Sequence, residues 1–258
     1  MTMKLTLTSK DKETAVFRIE GVTAAYANTL RRIAMTEVQT LAIERIEFGR
    51  NNSIIYDEML AHRIGLVPLT TDLKGYNVKD KHGEPGNPSN EVTLTLKVPK
   101  QKGVHTVTAG EFTTSDPAVK PVHPDMPLVR LLEGQDLELV AYAELGEGQE
   151  HMKWSPCLAS YRAYPHITIT KQPRNPKRVV ERYPGVFEVK GEKLVTVENG
   201  GVHMPDVELD LDDGEATVAN GDDFIFTIES WGQLSPDAIM EETIRRYDKE
   251  LEEFAKLL

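Results

Sequence analysis

A chain of 258 residues, 40% of them apolar, is long enough to bury one large core or roughly two to three smaller ones. Its 30 Lys and Arg against 41 Asp and Glu give a formal charge of −11, which excludes a broad electrostatic grip on nucleic acid or anionic lipid. No stretch approaches the roughly 18 apolar residues of a membrane span, and the single cysteine, Cys157, excludes an internal disulfide and fits a reducing cytoplasm.

Residues 1–8 alternate like a strand and carry no continuous apolar run of the signal-peptide type. Residues 4–8 and 14–20 are predicted as an opening pair of strands joined by a polar turn at 9–12. From Thr23, a suitable cap, Ala27, Leu30, Ile33, Ala34, Val38 and Leu41 recur at helical spacing, with Arg31, Arg32 and Glu37 on other faces. Residues 43–48 and 53–56 return to strand composition, and Asp57 is expected to cap a short helix ending at Gly65 before Pro68. A polar loop over 72–90 precedes strands at 92–98, 104–112 and 136–144, with a proline-dense connector at 117–127. Further along, 166–170 reads as a strand, Asn175-Pro176 opens a helix to Arg182, and 186–197 forms a hairpin turning at 190–192. Asn199-Gly200 marks another turn, and 222–230 gives one more strand.

The last segment is the most strongly patterned. Met240, Ile244, Tyr247, Leu251, Phe254 and Leu258 follow steps of four and three in alternation, a narrow seam along one helix face. Ser235 stands at the N-cap, Pro236 at the first helical position and Asp237 in the first turn. At about 1.5 Å per residue this helix would run about 34 Å, and its seam needs a partner.

Searches for chemistry return little. His62, His82, His105, His123, His151, His166 and His203 show no HExxH or paired-ligand spacing. Gly146-x-Gly148 lacks the later glycine and the Gly-Lys-Ser/Thr ending of a phosphate loop. Cys157 reads as a small buried apolar residue. The acidic run 206–213, bounded by Asp206 and Asp213 with Asp222 and Asp223 beyond, is the best place for metal or acid chemistry, yet it fails the calcium-loop pattern from Asp210. A homodimeric metal-dependent hydrolase using that cluster is the alternative function; a ferredoxin-like electron carrier is opposed by the single cysteine.

Three strings are more specific than the patterns: residues 26–33 (YANTLRRI), 61–69 (AHRIGLVPL) and 151–156 (HMKWSP). Together with the ending 226–232 (FTIESWG) and the heptad helix, they resemble the family of the archaeal RNA polymerase D subunit. Its relatives are the third-largest subunit of eukaryotic RNA polymerase II and the bacterial alpha subunit N-terminal domain. The resemblance implies an α+β fold: a discontinuous dimerisation domain of strands plus two long helices (1–44 and 222–258, plus roughly 160–170), an inserted β-rich domain (45–159) and a small ferredoxin-like domain (171–221). It implies a non-catalytic assembly subunit of DNA-directed RNA polymerase, cytoplasmic and without sequence-specific DNA contact. The small L subunit would face Ala27, Leu30, Ile33, Ala34, Met240, Ile244, Tyr247, Leu251, Phe254 and Leu258, while Arg31 and Arg32 would contact a large subunit. Some archaeal relatives hold an iron–sulfur cluster, but the ferredoxin spacing places Tyr183, Val179, Pro176 and Pro173 where thiolates would be needed, so no cluster is expected. The eukaryotic relative carries zinc-binding cysteines in the loop matching 72–90, where this chain has none, so no zinc is expected.

Overall fold

The computed structural model describes residues 3–73, 75–76, 91–204 and 209–257. Strands β1 (Lys4–Lys10) and β2 (Thr14–Glu20) pair antiparallel around a turn where the Asp11 carboxylate accepts from the Glu13 and Thr14 N–H groups at 2.9 and 2.7 Å. Ala15, Phe17 and Ile19, at every second place of β2, are buried. Helix α1 (Ala24–Thr36) stops short of the expected Leu41. The Val38 N–H closes its end on the Ile33 carbonyl, and β3 (Gln39–Asn51) begins at once. Thr40, Leu41, Ala42 and Ile43 are all buried, so the start of β3 shows no alternation, and the helix-like spacing of Val38 and Leu41 has no helical cause.

No strand forms at 53–56, because the Asn51 and Ser53 side chains bond the local backbone instead. Helix α2 (Asp57–Gly65) has Tyr56 at its cap position without a side-chain bond. Asp57 instead lies in the first turn, where its Oδ1 accepts from Asn51 Nδ2 at 2.7 Å. Most of the expected loop at 72–90 lies outside the described residues.

Strand β4 (Glu91–Val98) is followed by β5 (His105–Thr108) and β6 (Thr113–Thr114) in place of one strand at 104–112. Between the last two, Thr108 and Glu111 form a capping box around a single tight turn, with Thr108 N donating to Glu111 Oε1 at 2.8 Å. An unanticipated strand, β7 (Pro127–Leu131), ends the proline-rich connector and buries Leu128, Val129 and Leu131. The remaining elements are β8 (Leu137–Glu147), β9 (Cys157–Lys171), α3 (Pro176–Arg182), β10 (Phe187–Lys190), β11 (Lys193–Thr196), β12 (Glu215–Ser230) and α4 (Pro236–Ala255). β9 and β12 run beyond 166–170 and 222–230; the added residues of β12 are mostly exposed and show no buried alternation.

The chain divides into two compact units, 1–31 with 159–228 and 32–158 with 229–258. The first carries the sheet β1-β2-β12-β9 and the hairpin β10-β11, which turns at Gly191 with φ of 67°. Beside the hairpin, Val179 and Tyr183 of the α3 region pack with Val186, Phe187, Leu194 and Leu211 in a small core of their own. The second unit holds the sheet β3-β8-β4-β6 and the pair β5-β7. Its core joins Leu41 and Ile43 to Leu60 and Ile64 of α2, Leu94 and Leu96 of β4, and Leu139 of β8. This mixture of helices and sheets is compatible with the α+β class.

Candidate subunit interface

Helix α4 begins as its residues dictate: Ser235 Oγ accepts from the Ala238 N–H at 3.3 Å, and Pro236 occupies the first turn. Its first half is buried in the chain's own fold. Ile239, Met240 and Thr243 are buried, and the Glu242 carboxylate, 7% exposed, takes two bonds from Arg245 at 2.7 and 2.6 Å and one from Arg246 at 3.2 Å. Arg246 also reaches Glu147 at the end of β8, at 3.5 Å.

Beyond Tyr247 the helix is exposed, though Glu250 still bonds Glu37. Every residue from Asp248 to Leu257 is exposed, including Leu251 at 48%, Phe254 at 60% and Leu257 at 84%. The seam is therefore of two kinds: Met240 is spent on the chain's own interior, Ile244 and Tyr247 are half-buried, and Leu251 and Phe254 are free. The helix ends at Ala255, where the Lys256 N–H bonds the Glu252 and Glu253 carbonyls, so the heptad rhythm does not continue through the terminus. Leu257, which that rhythm omits, is the most exposed apolar residue of the group; Leu258 lies outside the described residues.

The α1 half of the expected surface is placed differently. Ala27, Leu30, Ile33 and Ala34 are all at most 2% exposed within the chain itself. They present no free face, because a helix of 13 residues gains its stability by burying its apolar stripe in its own fold. Arg31 is half-buried, with Nε and Nη2 donating to Asn28 Oδ1 at 3.3 and 3.1 Å, and Arg32 is exposed.

Asp206 lies outside the described residues, Arg182 pairs with Asp210 and Asp212 at 2.6 and 2.9 Å, and Arg174 pairs with Asp213 at 3.1 Å. Among the described residues no group of three or more His, Cys, Asp or Glu could hold a metal ion. Cys157 is fully buried, its Sγ faces the Ala34 carbonyl at 3.6 Å, and burial pushes its thiol up to about 12. No helix of the described residues is long and apolar enough to cross a membrane.

One titrating group beside α4 escaped the sequence patterns. Burial, a hydrogen bond with Glu250 and the nearby charge of Glu147 push the Glu37 carboxyl up to about 7, against the opposing pull of Arg246. The folded chain thus holds a proton that the unfolded chain releases near 4.5, so stability falls as pH rises from about 4.5 to 7 and the full penalty stands above 7. Glu37→Gln is expected to stabilise the chain at pH 8 by about 1 kcal/mol, allowing for solvent screening of this partly exposed group, and to change nothing at pH 4. Thermal melts across that range check it; equal effects at both pH values would refute it.

Residues 45–156 match the family model of the RNA polymerase Rpb3/RpoA insert domain. The chain is similar to the DNA-directed RNA polymerase subunit Rpo3 of Methanosphaera stadtmanae, 38% identical over 91% of this chain and 90% of the relative. It is likewise similar to Rpo3 of Pyrobaculum calidifontis, 34% identical over 99% and 96%, and of Methanothermobacter thermautotrophicus, 36% identical over 92% of each.

Proposed function

The chain belongs to the Rpo3 family of DNA-directed RNA polymerase subunits, and on that premise we propose that it is an assembly platform of the D type, capturing a small L-type subunit on the outer half of α4. It is an assembly subunit of a nucleotidyltransferase complex in which other subunits carry the catalysis. The observation that carries the capture reading is the stripe of Leu251, Phe254 and Leu257, exposed on an otherwise charged helix end. Apolar side chains in such a row lose water only when a second chain covers them.

The stripe also has a charge logic. The last turn of α4 holds Glu252 and Glu253 and no basic residue, so its acidic side chains oppose the helix dipole. A cationic partner surface would relieve both. Direct contact is assigned to Ile244, Tyr247, Leu251, Phe254 and Leu258; Ala27, Leu30, Ile33, Ala34 and Met240 are buried within the chain itself. Arg31 and Arg32 are assigned to a large subunit, whose carboxylates would meet the exposed Arg32 first.

The discontinuous layout of dimerisation, inserted and ferredoxin-like domains belongs to the same reading, as does a cytoplasmic location. We assign no iron–sulfur cluster to the small core of the first unit. In support, Val179 is fully buried among apolar side chains, and the Tyr183 hydroxyl accepts from the Asp210 N–H at 2.8 Å. Thiolate positions filled by packed apolar groups leave no ligands for iron. No zinc is assigned either.

Co-expression of the chain with the L-type subunit from the same genome, followed by size exclusion and mass measurement, tests the proposal. A one-to-one heterodimer is expected. A homodimer that excludes the second chain would overturn it.

A further inference from the structure

Where α1 ends and β3 begins, the second unit gathers carboxylates around one guanidinium. Glu37 lies between α1 and β3, Glu147 closes β8, and Glu242, Arg246 and Glu250 follow one another at four-residue steps along one face of α4. Arg246 is shared, its Nε 3.2 Å from Glu242 and its Nη1 3.5 Å from Glu147. Glu147 also accepts from the Gln39 and Gln149 amides at 2.9 and 2.7 Å, and buried Glu242 also takes Arg245. With the cation engaged by two carboxylates, Glu37 bonds the third, Glu250.

A bond between two carboxyl groups requires a proton. The ionised form only accepts, whereas the acid has one O–H to give, so the pair attracts with one proton between its members and repels without it. The position of the pair gives this chemistry a consequence. Glu250 belongs to the exposed stretch 248–257, directly before Leu251, and its bond runs from that stretch back to the chain's own fold. Beside it lies a hollow of about 590 Å³ lined by Gln39, Arg245, Arg246, Asp248, Lys249 and Glu252, so α4 is not packed against the start of β3 there and has room to shift.

We propose that Glu37 and Glu250 form a proton-operated latch: the shared proton holds the exposed half of α4 where it presents Leu251 and Phe254, and its loss frees that half, so that capture of the partner chain weakens as pH rises through neutrality. The effect on capture rests on the proposed role of α4, while the latch itself belongs to the isolated chain. The bonded Glu37 keeps its proton up to about 7, whereas a free one releases it near 4.5; the latch is therefore complete below about 4.5, erodes between 4.5 and 7 and is lost above. The charges acting on Glu37 are those of Glu250 and Glu147, which oppose its ionisation, and of Arg246, which favours it, with Asp248, Lys249 and Glu252 facing Gln39 across the hollow; none of these is a histidine.

Two measurements on the full chain test the latch. Hydrogen-exchange protection factors of amides 248–255, which are corrected for the intrinsic effect of pH, are expected to fall about fivefold from pH 6 to pH 8 in the isolated chain. Affinity for the L-type subunit is expected to fall by about the same factor. Glu37→Gln donates an amide hydrogen to Glu250 at either pH and is expected to hold both quantities at their pH 6 level. Glu250→Gln, a change on the exposed side of the pair, is expected to do the same, whereas Glu253→Gln, outside the cluster, keeps the parent's fall. Equal protection at both pH values, an undiminished fall in Glu37→Gln and Glu250→Gln, or capture of equal strength at both pH values would each overturn the proposal. No capture at either pH, with the exchange pattern as expected, would sustain the latch and fail the capture reading alone.

Discussion

Leu251→Glu combined with Phe254→Glu yields a folded, soluble chain that no longer captures its small partner. Both side chains are about half exposed or more in the isolated chain, so the unpartnered fold loses no packing. In the heterodimer each would surrender an apolar contact of about 1.5–3 kcal/mol, and each new carboxylate would meet either apolar surface or a helix end already rich in Glu252 and Glu253. A loss of at least about 4 kcal/mol corresponds to roughly a thousandfold in affinity. Size exclusion of the co-expressed pair measures it directly. Retained co-elution would refute the role of the stripe, whereas loss of a homodimer would identify self-association instead.

The second large effect concerns stability. Gly148 follows the end of β8, and a Cβ added there would sit 2.2 Å from the Met35 carbonyl oxygen. The opposing group is backbone held in place, since Gln149 N donates to the Thr36 carbonyl at 2.9 Å just beside it. Gly148→Ala must therefore separate the end of α1 from the end of β8, with an expected loss of about 3 kcal/mol. Denaturant unfolding checks this against Gly134→Ala. Gly134 has φ of 79° but nothing within 4 Å of an added Cβ, so there only the smaller backbone strain is expected. Equal losses at the two positions would contradict close approach as the cause.

Much of this architecture was legible because period and punctuation are local. The alternation of Ala15, Phe17 and Ile19 marked β2, the turn at Gly191 marked a hairpin, and Ser235-Pro236 marked the start of α4. The end of α1 was not legible, since a strand buried on both faces carries apolar residues at any spacing, helical spacing included. The outer half of β12 was hidden for the opposite reason, being mostly exposed without a buried alternation while backbone pairing holds it in the sheet.

At the interface the limit was deeper. Burial against one's own fold and burial against a partner impose the same periodicity, so Met240 and Phe254 looked alike in the seam although one is 4% exposed and the other 60%.

The passage of α4 from buried to exposed at Tyr247 bears on the fate of a chain that finds no partner. Fewer than three turns of helix, acidic at the wrong end, are too short to hold their form in water alone. Arg245, Arg246 and Lys249 stand at that junction, so trypsin is expected to clip the isolated chain there and to spare the heterodimer; equal cleavage of both would refute this. An orphaned chain would thus expose its own point of destruction, and assembly would hide it, keeping the supply of the platform matched to the supply of what it carries.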